Sequence, residues 1–385
     1  MKIAFLTPEY PHLKTGSSGG IGTSIRNLAI GLLAGGCSVR VLVYGQKEEA
    51  VFEDNGIVVQ QIRNVKLKGL SWYLTRKKLQ KIIDGLYESK EIDVVEAPDW
   101  TGITSFISPK KCPIVIRLNG SDTYFCHLDQ RPVKWKNKFH EKRALLQADG
   151  LLSVSQFTAD TTNTVFGLDK KFTIIPNGID MELFIPEKVI DEKFPVASNS
   201  LLYFGSLIRK KGLLELPFIF NAIVAIRPEA TLLLIGKDVP DIISGNPSTW
   251  QMMQDLFTTE AKSRVQYLGS VPYVDIKRHI NEATVCLFPT FAEALPVSWI
   301  EAMAMQKPIV ASNIGWAKEV IADCVNGFLV HPTDHDAYAD KTVLLLDLED
   351  LRTEFGLAAR DRVAAKFSIE VVAEQSKLFY ESLIP

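Results

Sequence analysis

The sequence predicts an α/β protein built from two doubly wound domains that face each other across a cleft. The chain has 385 residues, enough for two hydrophobic cores, and its 46% hydrophobic and 23% charged residues are typical of folded globular proteins. Short apolar runs alternate with helical stretches, a pattern that predicts parallel sheets covered by helices on both faces. The pattern stops near residue 181 and restarts near residue 201, so each half predicts its own sheet.

The first domain is predicted over residues 1–180. A buried strand over 2–7 leads into a glycine-rich loop, a helix from about residue 23 to 33 and a strand over 38–44. This βαβ opening is typical of a doubly wound sheet. Further strands are predicted over residues 57–62, 92–96, 113–118, 150–153 and 172–175.

The second domain is predicted over residues 201–367. A polar, proline-bearing linker over 181–200 precedes it, and the amphipathic pattern of 368–385 predicts a closing helix. The same alternation of apolar runs and helical stretches returns here, so a second parallel sheet is expected. Its strands are predicted over residues 201–204, 231–235, 265–268, 284–288, 309–311 and 328–330.

Charge and cysteine usage narrow the classes of partner. The net charge of -2 and the pI near 6.3 argue against nucleic acid as the main partner. The apolar run at the start is too short for a signal peptide and no stretch approaches a membrane span, so we expect a cytoplasmic protein. The five cysteines form no C-x-x-C pair and fit reduced core thiols, and no metal site is predicted.

Two glutamates flank the start of a predicted helix in the second domain. Pro289 ends an apolar strand and Pro296 opens a helix, so Glu293 lies in a loop at the edge where open α/β sheets bind ligands. Glu301 lies inside that largely apolar helix, where a carboxylate is costly unless a partner satisfies it. Helical side chains lean toward the amino end, so both glutamates are predicted to meet one polar ligand.

Three consecutive cations follow another predicted strand end. The stretch Tyr203-Phe-Gly-Ser-Leu-Ile-Arg-Lys-Lys-Gly212 leaves the strand through a glycine and a serine and ends in Arg209, Lys210 and Lys211. Cations at this place can hold a diphosphate whose negative charge grows as a bond to it breaks. The alternative is a solvated cationic turn.

The first glycine loop, Thr15-Gly-Ser-Ser-Gly-Gly-Ile-Gly22, fits the pattern of short-chain dehydrogenases. Tyr73-Leu-Thr-Arg-Lys77 also supplies the Tyr-x-x-x-Lys of that class. In a dinucleotide site, however, the glycines follow the strand at once, whereas residues 8–14 intervene here. The dehydrogenase is therefore kept as an alternative, and Gly20 and Gly22 are expected to allow close approach of the backbone to a ligand.

Several separate segments together resemble the retaining, nucleotide-sugar-dependent glycosyltransferases of family 4. Glu293-Ala-Leu-Pro-Val-Ser-Trp-Ile-Glu301 is similar to the Glu-x7-Glu motif of that family, and Lys211-Gly212 to its phosphate-binding Lys-Gly pair. Ile174-Ile-Pro-Asn-Gly-Ile-Asp180 matches another family segment almost residue for residue, and the first glycine loop resembles the family's Gly-Gly-x-Gly. The resemblance spans about residues 2–380.

The resemblance implies the GT-B fold, with the acceptor on the first domain, the donor on the second and the last helix crossing back to the first. It implies transfer of a sugar from a UDP- or GDP-sugar to a hydroxyl acceptor with the anomeric configuration retained, without a cofactor or metal. Ser206 stands where many members carry Arg, and Asn119 where many carry His.

The resemblance also assigns roles. It places Glu293, Lys211 and Arg209 at the reacting centre and Glu301 on the ribose hydroxyls of the donor. It implies two further groups of binding positions. Donor-binding positions are Leu295, Val297, Ser298, Gly205, Ser206, Gly236, Lys237 and Val271, and acceptor or phosphate positions are Gly20, Gly22 and Asn119.

The acceptor class and the rival functions stay open at this stage. The resemblance implies a sugar, lipid-linked or small-molecule acceptor in polysaccharide or glycoconjugate synthesis. The basic and aromatic residues of 131–143 predict either a solvated helix face or contact with an anionic membrane surface. Besides the dehydrogenase, the rivals are a GT-B epimerase or hydrolase and a non-catalytic nucleotide-sugar sensor.

Overall fold

The computed structural model describes residues 1–16, 18–186 and 199–384. The chain forms two compact units, one of Met1–Asp180 with Lys366–Pro385 and one of Met181–Ala365. Most of the predicted linker, residues 187–198, lies outside the described residues.

The first unit contains an 8-stranded sheet in the order β3-β4-β2-β1-β5-β6-β7-β8. Neighbouring strands are parallel except β3 and β4, which are antiparallel. Its central strands are buried on both faces, as the apolar runs of the sequence predict. The strands are β1 (Lys2–Thr7), β2 (Ser38–Gln46), β3 (Ala50–Asp54), β4 (Ile57–Arg63), β5 (Val94–Pro98), β6 (Ile114–Leu118), β7 (Gly150–Ser153) and β8 (Thr173–Ile174). The helices are α1 (Gly20–Ala34), α2 (Ser71–Glu88), α3 (Asp122–Leu128), α4 (Trp135–Gln147) and α5 (Gln156–Phe166).

The second unit contains a 6-stranded, fully parallel sheet in the order β11-β10-β9-β12-β13-β14. The chain builds outward from β9 in one direction and then from β12 in the other, so the strand order reverses between these two strands. The strands are β9 (Ser200–Phe204), β10 (Thr231–Ile235), β11 (Val265–Tyr267), β12 (Val285–Phe288), β13 (Ile309–Ser312) and β14 (Phe328–Val330). The helices are α6 (Leu216–Ile226), α7 (Thr249–Gln254), α8 (Thr259–Lys262), α9 (Tyr273–Glu282), α10 (Val297–Ala304), α11 (Ala317–Val320), α12 (His335–Asp347) and α13 (Glu349–Lys366).

The last helix, α14 (Ile369–Glu381), packs against α1 of the first unit. A buried polar network holds it there. Arg117 on β6 donates two hydrogen bonds to Glu96, at 2.9 and 3.1 Å, and a third to Ser376 on α14 at 3.0 Å. Tyr380 on α14 donates to Glu96 at 2.6 Å. Because the buried charges are paired and hydrogen-bonded, their desolvation is compensated and the helix is tied to one position.

Two details differ from the sequence prediction. Strand β3 was not predicted, and it pairs with β4 through a turn in which Asn55 and Gly56 have φ of 50° and 83°. Asn-Gly is the preferred pair for such a turn, so a hairpin signal was present. Helix α1 begins at Gly20 rather than near residue 23, because the Glu9 carboxylate accepts the N–H of Gly22 at 2.9 Å and satisfies an amide of the first turn.

Among the residues that the structure describes, no helix is both long and apolar enough to cross a membrane.

Candidate active site

The candidate site of the second unit lies where the strand order reverses. Strands β9 and β12 are parallel neighbours, so the loops that follow them leave the sheet at the same edge. Ligands of open α/β sheets bind at this reversal point because the two loops diverge there and leave a crevice. Lys211 comes from the loop after β9, and Glu293 from the loop after β12.

Lys211 and Glu293 form an ion pair with 2.9 Å between Nζ and Oε1. Their side chains are 22% and 14% exposed, so the pair is shielded from solvent but still accessible. The main chain holds the two loops together, since the N–H groups of Phe291 and Ala292 donate to the carbonyl of Lys210 at 2.8 and 3.1 Å. The loop that carries the carboxylate is therefore fixed to the turn that carries the cation.

Two glycines shape this turn, which is one turn of 3-10 helix over Arg209–Lys211. Gly212 has φ of 73°, and a Cβ there would lie 1.7 Å from the carbonyl oxygen of Pro289. Gly205 has φ of 140°, and a Cβ there would lie 3.5 Å from Nζ of Lys211. Glycine is needed at 212 for the approach of the two loops, and at 205 it leaves the space beside the ammonium group unfilled.

The ion pair sets the charge state of Lys211. Burial lowers the pKa of this lysine, but the Glu293 carboxylate, together with Tyr203 and Glu301, raises it, and the net pKa lies above its usual value. Glu301 also raises the pKa of Lys211 through its charge, which means that both glutamates of the motif act on this one cation. Lys211 is therefore held as an ammonium ion at neutral pH.

Glu301 lies in α10 and is only 5% exposed. Tyr273 donates its hydroxyl to Oε1 of Glu301 at 2.7 Å. Burial raises the pKa of Glu301 to about 7, although the hydrogen bond from Tyr273 and the charge of Lys211 both lower it. Buried carboxylates without a full set of partners are uncommon in proteins and mark candidate ligand sites.

The amino end of α10 adjoins Glu293 in the chain. No side chain caps this helix at its first residue, Val297. The first amides of a helix lack partners within the helix and, with the helix dipole, favour anions. Leu295 is buried at 6% exposure, while Val297 and Ser298 are half-buried at the start of the helix.

Arg209 pairs with an aspartate of the second unit. Its guanidinium forms a bidentate ion pair with Asp241, with Nε to Oδ1 at 2.8 Å and Nη2 to Oδ2 at 2.7 Å. Asp241 is 3% exposed, and the arginine beside it holds the pKa of its carboxyl well below the usual value. The structure therefore places Arg209 as a tie between two loops, whereas Lys211 is the cation that faces Glu293.

The remaining donor-side positions cluster at the ends of β9, β10 and β11. A Cβ on Gly236 would lie 1.8 Å from the carbonyl oxygen of Gly205, and the N–H of Gly236 donates to Gly269 at 2.8 Å. Ser206 and Lys237 are exposed next to these glycines. Val271 is half-buried in the loop before α9. These residues thus line one edge of the sheet, on the β10 and β11 side of Lys211.

The first unit carries the other predicted positions. Gly20 and Gly22 lie in the first turn of α1, where a Cβ on Gly22 would meet Ser18 and Glu9. Asn119 follows β6, and its N–H donates to Asp99 at 2.9 Å. Within the first unit, Asn119 lines a small cavity between the ends of β5 and β6 and helix α1.

Sequence reasoning missed three residues of these surroundings, namely Tyr273, Asp241 and Asp99. Asp99 is 2% exposed, and among the described residues its Oδ2 has no hydrogen-bond partner. Burial raises the pKa of Asp99 to about 7. Each of the three stands in a loop or at a helix start after a strand, and this position is the signal that could have found them.

Comparisons with known proteins fit this geometry. The family described as "Glycosyl transferases group 1" matches residues 185–362, and "Glycosyltransferase Family 4" matches residues 18–183, so together they cover most of the chain. The chain belongs to the group 1 glycosyltransferases. The family assignment does not favour the dehydrogenase alternative, whose glycine pattern covers only a short stretch of this glycosyltransferase.

Individual relatives of the glycosyltransferase are distant. A GDP-mannose-dependent monoacylated alpha-(1-6)-phosphatidylinositol monomannoside mannosyltransferase from Corynebacterium glutamicum is 26% identical, over 60% of this chain and 61% of the relative. The chain thus spans about three fifths of the length of that relative.

Solved structures resemble the glycosyltransferase over its whole length. Sucrose-phosphate synthase from Thermosynechococcus elongatus has a TM-score of 0.79 at 20% identity, covering 100% of this chain and 99% of the other. Anabaena HepE in complex with UDP and glucose has a TM-score of 0.75 at 20% identity, covering 99% and 100%. The predicted fold class, two Rossmann-like α/β domains of the GT-B type, is confirmed.

Proposed function

We propose that the protein transfers a sugar from a nucleoside diphosphate sugar to a hydroxyl acceptor and retains the anomeric configuration. The observation that carries the proposal is the ion pair of Lys211 with Glu293 at the reversal point of the second sheet, with Glu301 coupled to the same cation. A fixed ammonium ion beside two acids suits a ligand with negative phosphates at one place and hydroxyl groups on either side of them.

Each group has a role in this proposal. Lys211 stabilises the diphosphate as negative charge builds on the oxygen that leaves the sugar. The amides at Leu295, Val297 and Ser298 contribute at the amino end of α10. Glu293 orients the donor sugar, and Glu301 accepts hydrogen bonds from the ribose hydroxyls. No step of the proposed reaction is assigned to a metal ion or cofactor.

The nucleotide base is proposed to be uracil or guanine. A relative is named as GDP-mannose-dependent, and a structural neighbour was solved with UDP and glucose. The exposed edge formed by Gly205, Ser206, Gly236, Lys237 and Val271 supplies the surface for base and ribose. Arg209 supports the position of this edge through Asp241.

The acceptor is proposed to bind the first unit, as a sugar, a lipid-linked molecule or a small molecule bearing a hydroxyl group. Gly20 and Gly22 lie in the first turn of α1 and Asn119 directly follows β6, and the two glycines leave room for an acceptor to approach the backbone closely. Polysaccharide or glycoconjugate synthesis is the process that this acceptor class fits.

A product analysis tests the proposal. The protein is incubated with UDP- and GDP-sugars and a panel of hydroxyl acceptors, and nucleoside diphosphate release and the anomeric configuration of the product are measured by NMR. Retained configuration in an acceptor-dependent product supports the proposal. An inverted product contradicts retention, release without an acceptor favours a hydrolase or epimerase, and binding without any release favours a sensor.

An exposed aromatic and basic surface on the first unit supports a peripheral membrane contact. Trp135 and Phe139 on α4 are 72% and 47% exposed, and Trp72 at the start of α2 is 44% exposed. Phe106 joins the two helices, with ring centroids 5.6 Å from Trp72 and 6.3 Å from Phe139. Lysines at 134, 136 and 138 are exposed beside these rings, whereas the acid of this stretch, Glu141, is buried. Rings that enter an interface and cations that meet anionic headgroups favour an anionic membrane.

Vesicle sedimentation tests this contact. The protein is mixed with vesicles of phosphatidylcholine alone or with added phosphatidylglycerol. We expect salt-sensitive binding to the anionic vesicles only, weakened by Trp135→Ala with Phe139→Ala. Ile242→Ala with Ile243→Ala is a matched control, since these residues are 73% and 65% exposed on the second unit. Equal binding to both vesicles, or equal loss in both double variants, contradicts the membrane contact.

A further inference from the structure

We infer that Tyr273 is a positioning residue for nucleotide binding, holding the Glu301 carboxylate in one orientation and keeping it ionised for the ligand. This inference rests on the proposed function, because it concerns the group assigned to the ribose. Neither the family motif nor the sequence analysis points to Tyr273.

The hydroxyl of Tyr273 is placed by the packing of its ring on Phe184. Tyr273 is the first residue of α9, and its ring meets Phe184 edge to face with 6.0 Å between centroids. Phe184 is 1% exposed, and its carbonyl accepts a hydrogen bond from Arg360 at 2.7 Å. The same guanidinium of Arg360 donates to the carbonyl of Ala304, the last residue of α10. The aromatic support of Tyr273 is thus fixed to the helix that carries Glu301.

The carboxylate of Glu301 is only partly satisfied. Oε1 accepts the Tyr273 hydroxyl at 2.7 Å. Within the part of the chain that the structure describes, no hydrogen bond to Oε2 is found, and the residue as a whole is 5% exposed. A carboxylate offers about four acceptor positions, so Glu301 can keep Tyr273 and still receive two hydroxyl groups of a ligand. The free acceptor positions of Glu301 therefore suit a ligand with O–H donors.

The groups that set the charge of Glu301 come from three elements. Tyr273 approaches from α9 and Lys211 from the turn after β9, and both lower the pKa that burial raises. Glu293, from the loop after β12, forms an ion pair with Lys211 and partly offsets the effect of that positive charge on Glu301. Lys211 is shared with Glu293, whereas the hydroxyl of Tyr273 donates a hydrogen bond directly to Glu301.

Ionisation of Glu301 matters for the ligand, since only the ionised carboxylate accepts two hydroxyl donors with full strength. Removing a hydrogen bond to a charged group is expected to raise the pKa of Glu301 by about one unit. With a midpoint near 7 in the wild type, binding at pH 7 then weakens roughly fivefold and at pH 9 hardly changes. A purely structural role of the tyrosine would weaken binding by the same factor at every pH.

The test is calorimetric titration of UDP and of GDP into wild-type protein, Tyr273→Phe and Glu301→Gln between pH 6 and pH 9. Phenylalanine keeps the packing on Phe184 and removes only the hydroxyl. The ionisation of the diphosphate itself is common to all three proteins, so the ratio of their dissociation constants isolates Glu301. We expect the ratio of Tyr273→Phe to wild type to be largest at low pH and to approach one at pH 9, and Glu301→Gln to lose the pH dependence of this group.

A control and a ligand-free measurement complete the test. Tyr267→Phe removes another tyrosine hydroxyl of the second unit, which donates to the carbonyl of Gly236 at 2.9 Å, and any loss it causes should not depend on pH. Carbon-13 NMR titration of the Glu301 carboxyl, without nucleotide, should show a higher midpoint in Tyr273→Phe. An unchanged midpoint or a pH-independent ratio overturns the role of Tyr273. Failure of the wild type to bind either nucleotide contradicts the proposed function, while the carboxyl titration still decides whether Tyr273 holds Glu301 ionised.

Discussion

Replacing Lys211 by methionine removes the ammonium group and keeps most of the apolar stem. In the structure its Nζ lies 2.9 Å from Oε1 of Glu293, in a side chain that is 22% exposed. A unit charge about 4 Å away interacts by about 4 kcal/mol at an effective dielectric constant near 20. Allowing for screening at this exposure, about 3 kcal/mol of transition-state stabilisation should be lost. The expected result is a decrease of roughly 100-fold in kcat/KM for the donor.

The assay is the initial rate of nucleoside diphosphate release at several donor concentrations. Lys307→Met is a matched control, because this half-buried lysine of the same unit donates to the carbonyl of Asn281 at 2.7 Å without a carboxylate partner. The double variant Lys211→Met with Glu293→Gln separates stability from catalysis, since it also removes the carboxylate that forms the ion pair with Lys211. Its thermal stability should recover while activity stays low. A rate of Lys211→Met within threefold of the wild type would refute the role of the ammonium group.

Three further predictions concern stability, measured by urea unfolding. Gly212→Ala should cost about 3 kcal/mol or more, because its Cβ would lie 1.7 Å from a carbonyl oxygen, whereas Gly245→Ala, with φ of 74° and open space, should cost only about 1 kcal/mol. Equal losses would contradict the steric reason. Tyr380→Phe should cost about 1 to 3 kcal/mol, since it removes a buried hydrogen bond to Glu96, and an unchanged midpoint would contradict it. Burial raises the folded-state pKa of Asp99 to about 7, above its value in the unfolded chain. The free energy of unfolding should therefore decrease as the pH rises from about 4 to about 7, by up to about 1.4 kcal/mol per pH unit. Asp99→Asn should make this decrease smaller, and the same pH dependence of stability in the variant and the wild type would contradict the prediction.

Most strands could be predicted from the sequence because the apolar runs end in strong chain signals. Glycine at 205 and 236 and proline at 289 follow strands directly, so the ends of β9, β10 and β12 were located within one residue. Parallel strands bring their carboxyl ends to one edge of a sheet, and the approach of the loops that carry Lys211 and Glu293 follows from that rule. The roles of these residues in the reaction stay predictions.

The side-chain partners of the site residues could not be predicted, because they are distant in sequence. Asp241, which lies 32 residues after Arg209, forms two hydrogen bonds with the arginine's guanidinium, and no sequence pattern predicted that pair. The role of Arg209 at the diphosphate stays a prediction. Tyr273 and Glu301 are 28 residues apart, and no periodicity connects a helix start with the middle of another helix. Such contacts depend on how helices pack across a sheet, and a pattern that describes each element by itself does not contain that information.

The most direct test of the central claim is a crystal structure with UDP or GDP bound, at a concentration where calorimetry shows saturation. We expect a diphosphate oxygen within about 3 Å of Nζ of Lys211 and both ribose hydroxyls within about 3 Å of the Glu301 carboxylate. A nucleotide bound away from the loops that follow β9 and β12, with the ion pair of Lys211 and Glu293 facing only solvent, would contradict the proposed site.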